Sequence, residues 1–230
     1  MSIRNRTVHA SLWLMVLVIL GLVFGGCAAI DTRPKTTYGD TLLTLPYQGG
    51  GLKVVVVTQD QREYVLSGQT KPEYVGQVRD REWGTPSYRY TESGQPLASD
   101  LLHAASEALR RSGYLVSQVE LHPKDTGVIA LTSLHAPEDA RILYLVVYGW
   151  MYDYYQGVSF NYGPKNIGAN YKLAYKLEAR VLDSTGQLTL ASVVRENDRQ
   201  TMGGKAVFEY AAILADMLTD PEVVSALKSR

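Results

Sequence analysis

Cysteine occurs once in the 230 residues, at Cys27. A lone thiol excludes an internal disulfide, even in an oxidising compartment. Histidine is nearly as scarce. His103, His122 and His135 stand at no ligand-like spacing from one another or from Cys27, so the clustered donors of a structural metal site are missing. No charge sign dominates either: 23 basic residues balance 23 acidic ones, which removes the basic surface that nucleic acid selects. There is no G-x-S-x-G elbow. The glycines at Gly49–Gly51 precede a strand-like run, whereas a phosphate cradle joins a strand to a helix. Long apolar runs are absent as well. Leu12–Phe24, about 13 residues without a polar side chain, falls short of the roughly 20 that span a bilayer.

What the amino terminus does contain is a pattern. Arg4 and Arg6 precede the apolar run, and small residues follow it, as in a secretory signal. Phe24-Gly25-Gly26-Cys27 resembles a bacterial lipobox, with Phe24 where Leu is usual. That resemblance implies a signal peptide over residues 1–26 and diacylation at Cys27, followed by acylation of the new amino terminus. Two or more chains hold a protein firmly on a membrane, where one binds marginally. An anchor helix with an incidental cysteine is the alternative. Ala28 stands where Asp marks inner-membrane retention, so the expected place is the outer membrane, on its periplasmic side.

Residues 27–51, with Pro34, Pro46 and the glycine run, read as a lipidated tether, and residues 52–230 as one periplasmic domain. Leu52–Val57 is a β-branched run and predicts a buried strand. Gln59–Gly94 reads as a long irregular loop. Leu97, Leu101, Ala104, Ala105, Ala108 and Leu109 keep helical spacing up to the terminator Gly113. Tyr114–Leu121 follows as a strand, Thr126–Leu134 as a short helix capped by Asp125 or Thr126, and Arg141–Tyr155 as a central strand. Tyr171–Val181 alternates and pairs in a hairpin with Leu188–Arg195 across Asp183-Ser184-Thr185-Gly186. Val207–Leu218 forms a second helix, and Pro221 opens a short last one. The expectation is an α/β (α+β) single domain: a mixed sheet of about five strands with helices packed on it, in the order β-α-β-(α)-β-β-β-α.

Aromatic density is the remaining signal. Tyr144, Tyr148, Trp150, Tyr152 and Tyr154 share one parity, which places them on one face of an extended strand. The loop adds Tyr64, Tyr74, Trp83, Tyr88 and Tyr90 among Arg62, Arg79, Arg81 and Arg89. Tyr, Trp and Arg combine rigid area with a polar handle and dominate binding hot spots. Arg62, Tyr74, Arg81, Trp83, Tyr88, Trp150, Tyr152 and Tyr154 are therefore the candidate binding residues. Asp60, Glu63, Asp80 and Glu82 read as solvated loop charges. No convergent acid, base or nucleophile emerges, so a non-enzymatic role is expected, with no cofactor beyond the lipid on Cys27.

The segments "VVVVTQDQREYVLSGQTKPEYVG" and "ESGQPLASDLLHAASEALRRSGY", together with the strand ending in Gly149-Trp150, resemble YajG-type lipoproteins of Gram-negative envelopes. Asp60 and Arg62 match that family's Asp-x-Arg strand end. The order of elements is also similar to auxiliary lipoproteins of envelope (ABC) transporters and to the amino-terminal domain of TolB-like proteins. The resemblance implies an α/β fold and an envelope location, and no established reaction. Two roles follow as expectations: binding an envelope protein partner, or acting as a periplasmic carrier or transporter-accessory subunit that holds a lipid, peptide or glycan.

Overall fold

The computed structural model describes Tyr38 and residues 43–79, 83–134, 136–159, 166–198, 200–202 and 206–229. Lys35–Arg230 form one compact unit. Cys27 and the apolar run before it, which carry the lipidation expectation, lie outside the described residues.

In chain order the elements are β1 (Lys53–Asp60), α1 (Glu63–Leu66), β2 (Tyr74–Arg79), β3 (Ser87–Tyr90), α2 (Leu97–Arg111), β4 (Leu115–Leu121) and α3 (Gly127–Thr132). Then come β5 (Ala140–Ser159), β6 (Asn166–Leu182), β7 (Thr189–Asn197), β8 (Gln200–Met202), α4 (Ala206–Thr219) and α5 (Pro221–Lys228). The fold is α/β, with one mixed sheet of eight strands among the described residues. β5 is its spine. On one side its first half pairs in parallel with β1, and β1 with β4; its second half pairs in parallel with β2, which carries β3 antiparallel. On the other side β6 runs antiparallel along β5 and in turn carries β7 and β8.

Two layers of packing follow from strand alternation. Val54 and Val56 of β1 join Leu143, Leu145 and Leu177 in a large core, while Val55 and Val57 join Ile142, Tyr144, Val146 and Leu131 in a smaller one. The large core lies under α2, α4 and α5. In α2 the buried stripe includes Ala98, Ala104, Ala105 and Ala108, small side chains that let the helix approach the sheet, and Gly113 (φ +81°) ends it as read from the sequence. α5 starts on Pro221, with the Asp220 carboxylate accepting the Glu222 N–H at 3.0 Å. On the opposite face the six-residue α3 covers the part of the sheet at the smaller core. Its expected side-chain cap does not form: Asp125 instead accepts the His122 N–H.

Two expectations are revised. The tether does not extend to residue 51. Tyr38, Leu43 and Leu45 are buried in the large core, and Gly49 and Gly51 donate to the carbonyls of Ser112 and Gly113. Burying such side chains stabilises by about 1.5–3 kcal/mol each, which outweighs the loop-like composition around them. The stretch read as an irregular loop, residues 59–94, contains α1, β2 and β3. These strands exist because β5 runs past the end of β1 and offers them a free edge.

Candidate functional site

A slip in β5 decides which side chains meet. The β5–β6 register shifts between Val147 and Gly149, leaving Tyr148 as an extra residue. Such a bulge reverses the facing of everything beyond it. Tyr144 and Tyr148 therefore face the open side, while Trp150 turns into the large core. There it is fully buried, edge-on to Tyr38 and Tyr210 at 5.6 and 5.5 Å, and its Nε1–H donates to the Tyr38 hydroxyl at 3.2 Å. The expectation of one shared aromatic face is thus corrected.

At the far end of β5 the open side carries a tyrosine cleft. Its foundation is Arg62, fully buried, whose guanidinium donates to both Asp60 oxygens (2.9 and 2.7 Å) and to the carbonyls of Tyr74 (2.5 Å) and Pro72 (2.6 Å). All of this locks the start of β2 onto the end of β1. Asp60 is consequently a buried structural partner, which corrects its reading as a solvated loop charge. A second slip, between Tyr74 and Gly76, swings Tyr74 opposite Tyr90. Gly76 is required there, because a Cβ would collide with the Tyr152 carbonyl oxygen.

Tyr74 then stands edge-on to three rings: Tyr64 and Tyr88 at 5.8 Å and Tyr90 at 6.3 Å. The Tyr64 hydroxyl donates to the Trp150 carbonyl at 2.5 Å, pinning α1 over β5. With Met151 and Lys71 these rings line a cleft of about 510 Å³. Burial, with smaller contributions from neighbouring tyrosines, pushes the Tyr74 hydroxyl up to about 12, and burial also raises Tyr64. Both phenols stay neutral near pH 7 and serve as hydrogen-bonding groups. A second cavity of about 760 Å³ shares Tyr64 and Met151 and runs toward Lys176 and Glu196.

Further along the open face lies a polar knot. The Glu178 carboxylate accepts from Arg180 Nε and Nη2 (2.6 and 2.7 Å), the Tyr148 hydroxyl (2.9 Å) and the Ser192 hydroxyl (2.9 Å). Burial raises its pKa, but these bonds outweigh burial and hold it below the usual carboxylate range. Every lone-pair direction of Glu178 is engaged, so it serves as a structural anchor.

The expected binding residues separate accordingly. Trp83 (89% exposed) and Tyr88 (60% exposed) stand at the surface of the β2–β3 hairpin. Tyr74 lines the cleft from beneath. Arg62 and Trp150 are buried and present no contact surface, which corrects their reading as binding residues; their effect is to shape the cleft. Tyr152 and Tyr154 are half-buried and pack on the large core. Arg81 lies outside the described residues. Tyr64, Tyr90, Met151 and Lys71 complete the cleft, and Tyr64 and Tyr90 were already legible as loop aromatics. Nothing in the local sequence singles out Met151 or Lys71. Among the described residues no group of three His, Cys, Asp or Glu could hold a metal, and no helix is long and apolar enough to cross a membrane.

No protein-family profile matches the sequence, and no curated protein does either. Among solved structures, the chain is similar to a Xanthomonas campestris protein of family DUF330, at 15% identity over 81% of this chain and 90% of that one, TM-score 0.40. It is similar to a neuraminyllactose-binding hemagglutinin homologue from Helicobacter pylori, at 11% identity over 84% and 90% of the two chains, TM-score 0.41. A PelC dodecamer from Paraburkholderia phytofirmans is similar at 15% identity over 81% and 95%, TM-score 0.37. At such scores the chemistry of the cleft rests on this chain's own residues.

Proposed function

We propose that the protein is a periplasmic lipoprotein, anchored to the outer membrane through lipid on Cys27, that binds an envelope protein partner without catalysis. One observation carries the binding role: Tyr64, Tyr74, Tyr88 and Tyr90 converge on one cleft, with Trp83 exposed on the same hairpin. Rigid rings with neutral hydroxyl handles supply contact area at low entropy cost. The lipobox-like Phe24–Cys27 and the resemblance to YajG-type lipoproteins support the location.

A photo-crosslinking residue placed at Tyr88 of the full chain, in living host cells, tests the proposal. One protein species is expected to attach there and not from an equivalent probe at Arg111, exposed at the end of α2. The same adducts from both positions, or none, would overturn the binding role. Cys27→Ser is expected to abolish incorporation of labelled palmitate; a wild type that takes up no lipid favours the anchor helix.

The second reading is a carrier. Cleft volumes of about 510 and 760 Å³ fall within the range of roughly 300–1,000 Å³ that small ligands occupy. Native mass spectrometry of protein purified from its host would show a co-purifying lipid, peptide or glycan in that case.

A further inference from the structure

Among the described residues the strand β4 has a partner on one edge only. It pairs with β1, and no described strand lies beyond it. The Leu115 N–H donates inward to the Leu52 carbonyl at 2.9 Å, so strand alternation turns the backbone groups of Val116, Gln118 and Glu120 outward. In agreement, the Val116 carbonyl meets the side chain of Arg110 from outside, at 3.4 Å. Leu115–Leu121 contains no proline, no lysine and no bulge to protect the edge, and the exposed Arg110 side chain resting on the Val116 carbonyl moves aside when a strand pairs there. Its one charge, Glu120, accepts from the Ser99 hydroxyl at 2.5 Å. Leu115 is 60% exposed, and an apolar groove of about 290 Å³ beside it is lined by Val55, Leu115, Ser117 and Pro137.

The edge is complementary to itself in one antiparallel register. A two-fold axis through Gln118 sets Gln118 against Gln118 of the other copy and Val116 against Glu120. These are the outward-facing residues, and they would exchange about six backbone hydrogen bonds. On the open face the exposed Leu115 then meets Leu121, and Ser117 meets Val119. No charge opposes its own kind. Moving the axis to Glu120 would put two carboxylates face to face, a destabilising pair; moving it to Val116 would shorten the overlap. From this match of backbone, apolar side chains and charge, we infer that β4 is the seam of a homodimer in which two sheets become one. The inference is independent of the cleft and its partner.

The full chain tests it in two ways. In an antiparallel hydrogen-bonded pair the Cα atoms lie about 5.5 Å apart, within disulfide range. Gln118→Cys is therefore expected to give a covalent dimer under mild oxidation, while wild type, with only Cys27, and Val116→Cys, which faces Glu120, give none. Separately, the detergent-solubilised wild type is expected to have the mass of two chains. Gln118→Pro should halve it with unchanged circular dichroism, because the lost N–H points away from β1. A monomeric wild type, a dimer that persists in Gln118→Pro, or Gln118→Cys linked to another protein instead of itself would each overturn the inference. The cysteine variant keeps the proposal open to refutation even if Gln118→Pro fails to fold.

Discussion

Tyr144 and Trp150 stand in one strand with the same parity, yet face opposite sides of the sheet. Alternation alone would put them together. The extra residue between them, Tyr148, reverses the facing and sends the one large indole of β5 into the core between Tyr38 and Tyr210. Deleting Tyr148 removes the extra residue and leaves Val147, Gly149 and Trp150 in plain alternation opposite Leu177, Lys176 and Tyr175, so Trp150 stays in the core. The expected outcome is that cooperative thermal unfolding, followed by circular dichroism, persists, with a cost of about 1.5–3 kcal/mol from the lost hydrogen bond of the Tyr148 hydroxyl to Glu178. A deletion variant without a cooperative transition would show that the facing of Trp150 depends on the bulge itself.

The Asp60–Arg62 pair is predicted to be far more sensitive to losing one member than both. Asp60→Ala leaves a guanidinium buried without its counter-ion, which costs about 3–5 kcal/mol. The double variant Asp60→Ala with Arg62→Met removes the stranded charge and should cost less than the single one. Urea denaturation of the cycle measures this; a double variant as damaged as the sum of the singles would contradict it.

Glu178 links stability to acid. Its pKa in the folded state is held below the unfolded value by Arg180, Ser192 and Tyr148, against the opposing effect of burial. The unfolded chain therefore binds more protons, and stability rises with pH through that window. The contribution is complete above the unfolded value of about 4.3 and is lost as pH falls through the lower, folded value. Glu178→Gln is expected to flatten the acid limb of stability against pH. An unchanged limb, measured by denaturant titration from neutral pH downward, would refute it.

Gly76 is predicted to govern the cleft separately from the core. In Gly76→Ala the added Cβ collides with the Tyr152 backbone, so β2 must lift from β5. Cooperative unfolding should persist, since β1, β4, β6 and the helices keep their contacts. Crosslinking from Tyr88 should fall sharply. Full yield from this variant would mean that the hairpin's seat on β5 does not matter for binding.

Several elements were legible in the chain because their causes are local. The apolar spacing of α2 with Gly113 after it, Pro221 at the start of α5, the valines of β1 and the turn at Asp183–Gly186 each carry their instruction within a few residues. The concentration of tyrosine, tryptophan and arginine in the stretch after β1 was equally plain. Which of those side chains meet a partner was not. Arg62 is buried only because Asp60, Tyr74 and Pro72 close around it, and β2 and β3 form only because β5 outruns β1.

Local pattern thus determined the elements and the aromatic wealth of this protein. Tertiary structure decided the facing of Trp150, the burial of Arg62 and the place of Tyr38 in the core. The physical reason is that one unpaired residue in a strand changes no propensity, yet inverts every contact beyond it.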